Sequence, residues 1–330
     1  SSLSNSQGFK EFVDWNNTLI ESNEISENRF IEMPLINPST MIRRGIYEIH
    51  GTYNHNDFPE NYDYWLKLLA KEIKIEKKDG YAIIYFDRPD KFNAANAQIF
   101  AELTAAVQEL DADESIGCMI LTGQTFTHPK KGTPFPVFSA GADVEQFSTI
   151  GKTEAGFDFI KVCFDPFKAI EMSETPIIAA VNGAAFGFGF EISGCCDMVF
   201  ASKSAKFALK ELNHGAIPAW CVTRGLEQLS KKVVAYLCLT AKEIDPEEAK
   251  RLGVVLDVFE DDDLLPQCEA LAARIGKTSY VSRTFIKKIL NKDAMKDYQD
   301  AERFMPTVFA TEFMQGAFAR FTKGDTKNVK

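Results

Sequence analysis

An apolar, glycine-punctuated stretch from residue 175 to 211 constrains this chain more than any other part of its sequence. It reads TPIIAAVNGAAFGFGFEISGCCDMVFASKSAKFALKE, with Glu191 in its middle and Glu211 at its end. An ionised carboxylate among apolar side chains is costly unless a partner or hydrogen bonds compensate it. Glu191 therefore needs a partner or a chemical role, and this stretch is where a functional site is expected.

The composition excludes several classes of protein. The chain has 330 residues, 45% of them hydrophobic, so it can bury a substantial core. Its net charge of −10 argues against nucleic acid or an anionic membrane surface as the main partner. The longest apolar run, residues 177–200, is broken by glycines and acidic residues and does not fit a transmembrane helix. We therefore expect a soluble globular protein.

The seven cysteines indicate a reducing compartment. They are odd in number, scattered and without a C-x-x-C pair, so neither a disulfide framework nor a structural metal site is expected. The N-terminal residues lack the basic start and apolar run of a secretory signal. These observations predict a cytoplasmic protein whose cysteines are core thiols.

A regular order of strands and helices begins near Glu72. Alternating apolar residues on both sides of the turn pair Asp79-Gly80 predict a β-hairpin. Asn93 and Asn96 are candidate caps of a helix with apolar residues at helical spacing, and CMILTG then reads as a buried strand. The same order returns as PIIAAVNG, GFGFEISGCC and MVFAS, read as strand, helix and strand, and helical patterns dominate towards the C-terminus.

Several segments of the chain resemble, in order, those of the enoyl-CoA hydratase/isomerase (crotonase) superfamily. RPDKFNAAN resembles the family's RP-x-x-x-NA loop, FSAGAD its first oxyanion segment, and PIIAAVNGAAFGFGFE its second, usually VNG-x-x-x-GGG-x-E. FALKELNHGAIP, TAKEIDPEEAKRLGVV and the closing VFATEFMQGAFARFTKG resemble the family segments that follow. The resemblance covers roughly four fifths of the chain.

The resemblance implies an α/β fold, a crotonase-type spiral of ββα units with a C-terminal helical trimerisation region. Three parts are expected: residues 1–70 as an N-terminal extension of unknown role, residues 71–270 as the spiral core, and residues 271–330 as the helical oligomerisation region. A homotrimer or a dimer of trimers is implied in the same way.

A thioester that reacts through an enolate needs two donors aimed at the carbonyl oxygen, where negative charge develops. The resemblance places these donors at the backbone N–H groups of Ala142 and Phe188. The family usually has glycine at the second position, so Phe188 is expected to crowd or reshape the acyl pocket. The same two segments supply further implied substrate-binding residues, namely Ala140, Gly141, Asp143 and Gly187.

Two carboxylates suit the addition of water across a double bond conjugated to a carbonyl, since one activates the water while the other handles the α-proton. Glu191 and Glu211 match the family's hydratase pair, which implies a hydratase or dehydratase with these two roles in that order. The simple alternative is an ion-paired helix residue and a surface residue. Lys210 replaces a usual proline, and Trp220 and Cys221 replace small residues, so a remodelled acyl site is expected.

A CoA ligand needs cations for its phosphates. The resemblance implies Lys91 beside the nucleotide, with Phe309 and Lys323 reaching it from a neighbouring subunit, and Trp220 lining the acyl pocket. No resident cofactor and no metal are expected, because the CoA or acyl-carrier thioester is itself the substrate.

Two alternatives to a hydratase stay open. Superfamily members change reaction while keeping the oxyanion hole, so a double-bond isomerase or a hydrolase of thioesters or β-ketones is the alternative within enzymes. A non-catalytic binding module is the second, motivated by residues 1–70 and the change from GGG to FGF. His214, three residues after Glu211, is either a proton relay or, more commonly, a structural residue.

Overall fold

Ten β-strands lie in the part of the chain that the structure describes. This computed structural model describes residues 71–127, 132–146 and 162–299, together with residues 302, 311 and 316. The strands are β1 (Ile73–Lys78), β2 (Tyr81–Phe86), β3 (Met119–Gly123), β4 (Thr125–Thr127), β5 (Pro134–Ser139), β6 (Ile177–Val181), β7 (Ala184–Phe186), β8 (Met198–Ser202), β9 (Lys206–Ala208) and β10 (Asp257–Phe259).

The strands form two sheets. A six-stranded sheet has the order β1-β2-β3-β6-β8-β10, and a four-stranded sheet has the order β4-β5-β7-β9. The pairs β1–β2 and β4–β5 are antiparallel, whereas the other paired strands of both sheets run parallel. Parallel pairing needs a crossover between strands, which the intervening helices and second-sheet strands supply.

From β3 onward the chain passes back and forth between the two sheets. Each of β3, β6 and β8 lies in the larger sheet and is followed directly by a strand of the smaller one, namely β4 and β5, β7, and β9. The chain thus repeats a two-strand unit and winds as a spiral. The predicted α/β fold with a spiral of strand pairs and helices is confirmed, while trimerisation stays a prediction.

Eight α-helices and two short 3-10 helices have both ends within the described residues, and the last two α-helices follow the final strand. The 3-10 helices are Pro89–Lys91 and Glu211–His214. The α-helices are α1 (Ala97–Asp111), α2 (Asp165–Met172), α3 (Phe188–Gly194), α4 (Gly225–Gln228), α5 (Lys231–Thr240), α6 (Pro246–Leu252), α7 (Leu264–Gly276) and α8 (Tyr280–Leu290).

Local sequence explains how these elements begin and end. The predicted hairpin is confirmed, with Lys78 opposite Tyr81 around the turn. Asn96 caps α1 through its Oδ1, which accepts from the Ile99 N–H at 2.8 Å. Asn93 is not a cap, contrary to the expectation, because its side chain donates to the Val137 carbonyl at 2.8 Å and ties the preceding loop to β5.

The core lies on both faces of the larger sheet, which is why its central strands are apolar throughout. Both β3 and β6 are buried at every position. Ile84 and Phe86 on β2 point into the larger cluster, which α1 and α3 complete. Ile83 and Tyr85 point to the other face, which α7 covers. Alternate side chains of β2 therefore pack into two apolar layers, one on each face of the sheet.

A buried lysine fixes α8 to this core. The Lys287 ammonium donates to Ser173 Oγ at 2.8 Å and to the Thr175 carbonyl at 2.9 Å, and it pairs with Asp197 Oδ2 at 2.9 Å. The lysine side chain is only 3% exposed, so its charge is compensated by the protein rather than by water. The neighbouring Lys288 points outward and pairs with Glu174 at the surface.

We predict that Lys287→Ala destabilises the fold by about 3 kcal/mol, because it leaves the Asp197 carboxylate without its buried counter-charge. The matched change Lys288→Ala removes an exposed ion pair and should cost at most about 1 kcal/mol. Urea denaturation of both variants measures the difference. Equal losses of unfolding free energy would show that Lys287 does not anchor α8.

Helix α8 also leaves an apolar face in contact with solvent. Six of its large hydrophobic residues are more than half exposed: Tyr280, Val281, Phe285, Ile286, Ile289 and Leu290. Within the described part of the chain, every helix is too short or too polar to cross a lipid bilayer.

The predicted division at residues 70 and 270 stays a prediction, and residues 1–70 lie outside the described residues.

Candidate active site

Gly187 makes the turn that places Glu191. The residue lies between β7 and α3 with φ at 50° and ψ at −117°, a conformation that side chains disfavour. The Gly187 carbonyl accepts the Glu191 N–H at 3.0 Å and so closes the first turn of α3. The glycine thereby lets a buried helix start abruptly after a strand, one turn before Glu191.

The Ala142 segment lies against this turn. The Ala95 N–H donates to the Gly141 carbonyl at 2.7 Å, and the Asp143 N–H donates to the Ala95 carbonyl at 2.8 Å. In a parallel bridge of this pattern the amide of the middle residue, Ala142, faces away from Ala95. A Cβ added to Gly187 would lie 3.8 Å from Gly141 Cα, so the two turns are in close contact.

Glu211 reaches the same place from the end of the smaller sheet. It opens the 3-10 helix after β9, and the Gly187 N–H bonds to the Ala208 carbonyl at 2.9 Å. Its Oε1 lies 2.7 Å from the position of a Cβ at Gly187, so a side chain there would displace the carboxylate. Its Oε2 is buried and has no hydrogen-bond partner among the described residues.

One cavity of about 200 Å³ brings both carboxylates together. Glu191 is only 7% exposed, and its Oε1 accepts the Cys221 N–H at 3.1 Å. The cavity wall is mostly apolar, with polar side chains at Glu191, Glu211, Lys210 and His214. Eight of the sequence-predicted site residues line it: Ala140, Gly141, Ala142, Gly187, Phe188, Glu191, Glu211 and Trp220.

Burial makes both carboxyl groups hold their protons more tightly. It raises the pKa of Glu211 to about 7, against a weaker opposing hydrogen bond from its own backbone. Burial also raises the pKa of Glu191 well above its usual value, and the charge of Glu211 raises it further. The Cys221 amide opposes these effects by favouring the ionised form. Both carboxyl groups therefore favour the protonated form more than an exposed glutamate does.

Phe188 takes an ordinary helical conformation because Gly187 absorbs the strained φ before it. The described non-glycine residues with positive φ are Phe92, Asn93 and Ala241. The Phe188 ring packs edge to face against Phe100, Phe167 and Phe86, with centroids 5.2, 5.4 and 6.4 Å away. The aromatic cluster accommodates the ring in the cavity wall, so Phe188 reshapes the pocket without filling it.

Two of the predicted binding residues, Lys91 and Asp143, do not line the cavity, and two more cannot be placed. The exposed Lys91 pairs with Glu145 Oε2 at 2.7 Å and does not line the cavity. The Asp143 carboxylate pairs with Arg88 Nη1 at 2.6 Å and ties its loop to the preceding one. Phe309 and Lys323 are outside the described residues.

Sequence reasoning missed a buried polar network behind the cavity. Glu171 on α2 accepts from Arg224 Nε at 3.0 Å and from Trp220 Nε1 at 3.1 Å. Nothing in the sequence brings α2 near Trp220, because 49 residues separate the two hydrogen-bonded side chains. The only sequence signal is Glu171 itself, an acidic residue on the apolar face of its helix.

The cysteine thiols close to the site are buried and weakly acidic. Burial raises the pKa of Cys195 and of Cys196 well above the usual range, which removes the thiolate needed for nucleophilic attack. Among the described residues, no group of three or more His, Cys, Asp or Glu side chains is placed to hold a metal ion.

Comparison with known proteins shows the family of this chain. Residues 76–323 match the family model for enoyl-CoA hydratase/isomerase. The chain belongs to the enoyl-CoA hydratase/isomerase family. It is 32% identical to the crotonyl-CoA hydratase of Syntrophomonas wolfei over 232 residues, which are 70% of this chain and 85% of that protein.

Two further similarities support the family assignment. The short-chain-enoyl-CoA hydratase of Clostridium acetobutylicum is 31% identical over 254 residues, which are 76% of this chain and 94% of that protein. The crystal structure of an enoyl-CoA hydratase/isomerase from Pseudoalteromonas atlantica is 25% identical, with a TM-score of 0.65 over 77% of this chain and 98% of the other. At the level of the family, the prediction of an enoyl-CoA hydratase-like enzyme is confirmed.

A first prediction concerns the close approach at Gly187. Gly187→Ala should cost about 1–2 kcal/mol for the positive φ and a further 1–3 kcal/mol for the contact with Glu211. Gly80→Ala is the matched control, because its φ is +80° but nothing lies within 4 Å of the added Cβ. Urea denaturation should show the larger loss only for Gly187→Ala. A loss no greater than that of Gly80→Ala would contradict the close approach.

A second prediction concerns the pH dependence of stability. The folded-state pKa of Glu211 is raised from an ordinary value of 4.5 to about 7, so its protonated form stabilises the fold below about pH 4.5 and this contribution is lost as the pH rises through about 7. Above pH 7 the folded protein must bury an ionised Glu211 carboxylate, which is costly. Glu211→Gln removes this cost and should stabilise the protein by about 1–3 kcal/mol at pH 8, with little effect at pH 5.

Denaturation of wild type and variant at both pH values measures this effect. Glu260→Gln, an exposed residue paired with Lys203, controls for the chemical change. A Glu211→Gln effect of the same size at pH 5 and pH 8 would mean that the Glu211 carboxyl is not held at a raised pKa.

Proposed function

We propose that this protein is an enoyl-thioester hydratase, which adds water across a double bond conjugated to a thioester carbonyl and also catalyses the reverse dehydration. The observation that carries the proposal is the pair of buried carboxyl groups, Glu191 and Glu211, in one apolar cavity. The relatives named crotonyl-CoA and short-chain-enoyl-CoA hydratase support the same reaction class.

The reaction needs one ionised and one protonated carboxyl group, and a pair that shares one proton supplies both. Glu191 takes a proton from water while the water oxygen bonds to the β-carbon. The electrons of the double bond move towards the carbonyl oxygen and form an enolate. Glu211 then gives its proton to the α-carbon, and transfer of one proton from Glu191 to Glu211 restores the pair.

The two roles follow the order of the family's hydratase pair, and one contact of each carboxyl group supports them. The Cys221 N–H donates to Glu191 and favours its ionised form, as a base requires. The buried Oε2 of Glu211 has no donor among the described residues, which favours the protonated form of an acid. The apolar cavity wall strengthens the hydrogen bond from Cys221 to Glu191, because a low dielectric weakens screening.

The enolate oxygen is assigned to the backbone amides of Ala142 and Phe188. The Ala142 amide faces away from its bridge to Ala95, and the Phe188 amide is the first of a helix and so has no intrahelical acceptor. Both residues line the cavity and their turns touch at Gly141 and Gly187. Two fixed N–H donors stabilise developing charge without reorganising.

The carrier of the acyl group is assigned to CoA or an acyl carrier thioester, and no resident cofactor takes part. Lys91 is the described cation proposed for the phosphates; it is exposed and can exchange its Glu145 partner for phosphate. The proposed contacts from Phe309 and Lys323 lie outside the described residues. The reaction alternatives are isomerisation and hydrolysis, and retention of two acids rather than one favours hydration.

A third prediction tests the reaction. Purified protein is incubated with a panel of enoyl-, β-keto- and aryl-CoA thioesters, and products are followed by mass. Hydration adds one water, isomerisation leaves the mass unchanged, and hydrolysis releases free CoA. Glu191→Gln and Glu211→Gln should each lower kcat at least about 10²-fold, because general acid–base catalysis contributes on the order of 10²–10⁴.

The control is Glu260→Gln, which carries the same chemical change on the surface and should keep full activity. Circular dichroism should show that all three variants fold. Full hydration activity of both active-site variants would reject the proposed roles, and binding of thioesters without any turnover would favour a non-catalytic module.

A further inference from the structure

Glu171 on α2 is a fully buried carboxylate that the proposed chemistry does not use. Its side chain has no exposed surface, and it does not line the cavity. Three donors hold it: Trp220 Nε1 at 3.1 Å, Arg224 Nε at 3.0 Å and Tyr298 Oη at 2.9 Å. A buried carboxylate compensated on both oxygens is fixed in one orientation.

Trp220 connects this carboxylate to the active site. Its ring lines the cavity and packs against α3, the helix that carries Glu191, since a Cβ added to Gly194 would overlap the indole. The next amide along the chain, Cys221 N–H, donates to Glu191 Oε1 at 3.1 Å. Trp220 therefore contacts the helix of Glu191 with its side chain. It also directly precedes Cys221, whose N–H donates to the Glu191 carboxylate.

We propose that Glu171 and Trp220 are positioning residues for Glu191, with the bond from the indole N–H to Glu171 setting the direction of the Cys221 amide. The inference rests on the proposed function, because it concerns the base of that reaction. The Glu171 carboxylate fixes the ring, the ring fixes the backbone of residue 220, and the backbone aims the donor at Glu191. Trp220 stands where the resemblance leads one to expect a small residue. The indole of this larger residue is what connects Glu171 to the backbone beside Glu191.

The Cys221 donor matters because only backbone amides favour the ionised form of Glu191, and Cys221 gives the larger of the two effects. Burial and the charge of Glu211 raise its pKa, and the thiol of Cys238 on α5 acts in the same direction. The amides of Cys221 and Trp220 lower it. If the Cys221 N–H turns away, the pKa of Glu191 rises further and less of the base is ionised at neutral pH.

The chain offers a matched pair of variants. Trp220→Phe keeps an aromatic ring and removes the indole donor. Tyr298→Phe removes a neutral donor from the same carboxylate, but Tyr298 does not line the cavity. Both variants keep the Arg224–Glu171 ion pair. Benzothienylalanine at position 220, the sulfur isostere of tryptophan, preserves the ring shape and removes only the N–H, which guards against misfolding.

The decisive readout is the titration of Glu191 in protein labelled with ¹³C at the glutamate carboxyl carbons. Its signal is assigned by its loss in Glu191→Gln. The pKa of Glu191 should be higher in Trp220→Phe and in the isostere than in wild type, and unchanged in Tyr298→Phe. A Glu191 titration that is the same in wild type and in both position-220 variants would overturn the inference.

Kinetics supply the second readout. The isostere at position 220, which keeps the shape of the pocket wall, should lower kcat at least about tenfold with KM within about twofold, because misplacing a catalytic group by about 1 Å costs on the order of 10²-fold. The acidic limb of its pH–kcat profile should move to higher pH. In a Glu191→Gln background the same change should have no further effect on kcat, since the residue acts through Glu191; an undiminished effect there would overturn the inference.

The two readouts separate this inference from the proposed function. A wild-type protein that hydrates no thioester, but whose Glu191 titration shifts in Trp220→Phe, would reject the function and support the positioning. If the wild-type protein is a hydratase and both position-220 variants keep its Glu191 titration and its kcat, the function is supported and the positioning role is rejected.

Discussion

The burial of two carboxyl groups in one apolar cavity is the constraint on which the rest of the site depends. Neither Glu191 nor Glu211 has a cationic partner in its pocket among the described residues, so both pKa values rise. A cationic partner would have lowered the pKa of a carboxyl group there, whereas burial without one favours the protonated form. The arrangement costs folding stability and gives the site an acid and a base at the same pH.

The backbone makes that arrangement possible. Gly187 takes a conformation that other residues disfavour and leaves room for the Glu211 carboxylate beside it. From β3 onward the chain passes between two sheets, so residues that are distant in sequence end at one edge: α3 follows β7, and the 3-10 helix of Glu211 follows β9. The turns at the ends of these short neighbouring strands therefore place Glu191 and Glu211 in one cavity.

Local pattern and motif order predicted much of this structure. The hairpin, the buried strands and the helix of Glu191 follow from periodicity, because each pattern is read within a few residues. The Asn93 side chain bonds across to β5, and Glu171 meets Trp220 from a distant helix, so neither contact could be read locally. Phe188 was expected to crowd the pocket, and its aromatic neighbours, which come from separate elements, are what accommodate it.

The central claim is that the Glu191–Glu211 pair holds one proton at neutral pH. Infrared difference spectroscopy of the wild-type protein against Glu191→Gln and Glu211→Gln measures it directly, because a protonated carboxyl group absorbs apart from a carboxylate. A protonated-carboxyl band is expected at pH 7, lost above the raised pKa values and altered in both variants. Two carboxylates fully ionised at pH 7, with titration near pH 4.5, would contradict it.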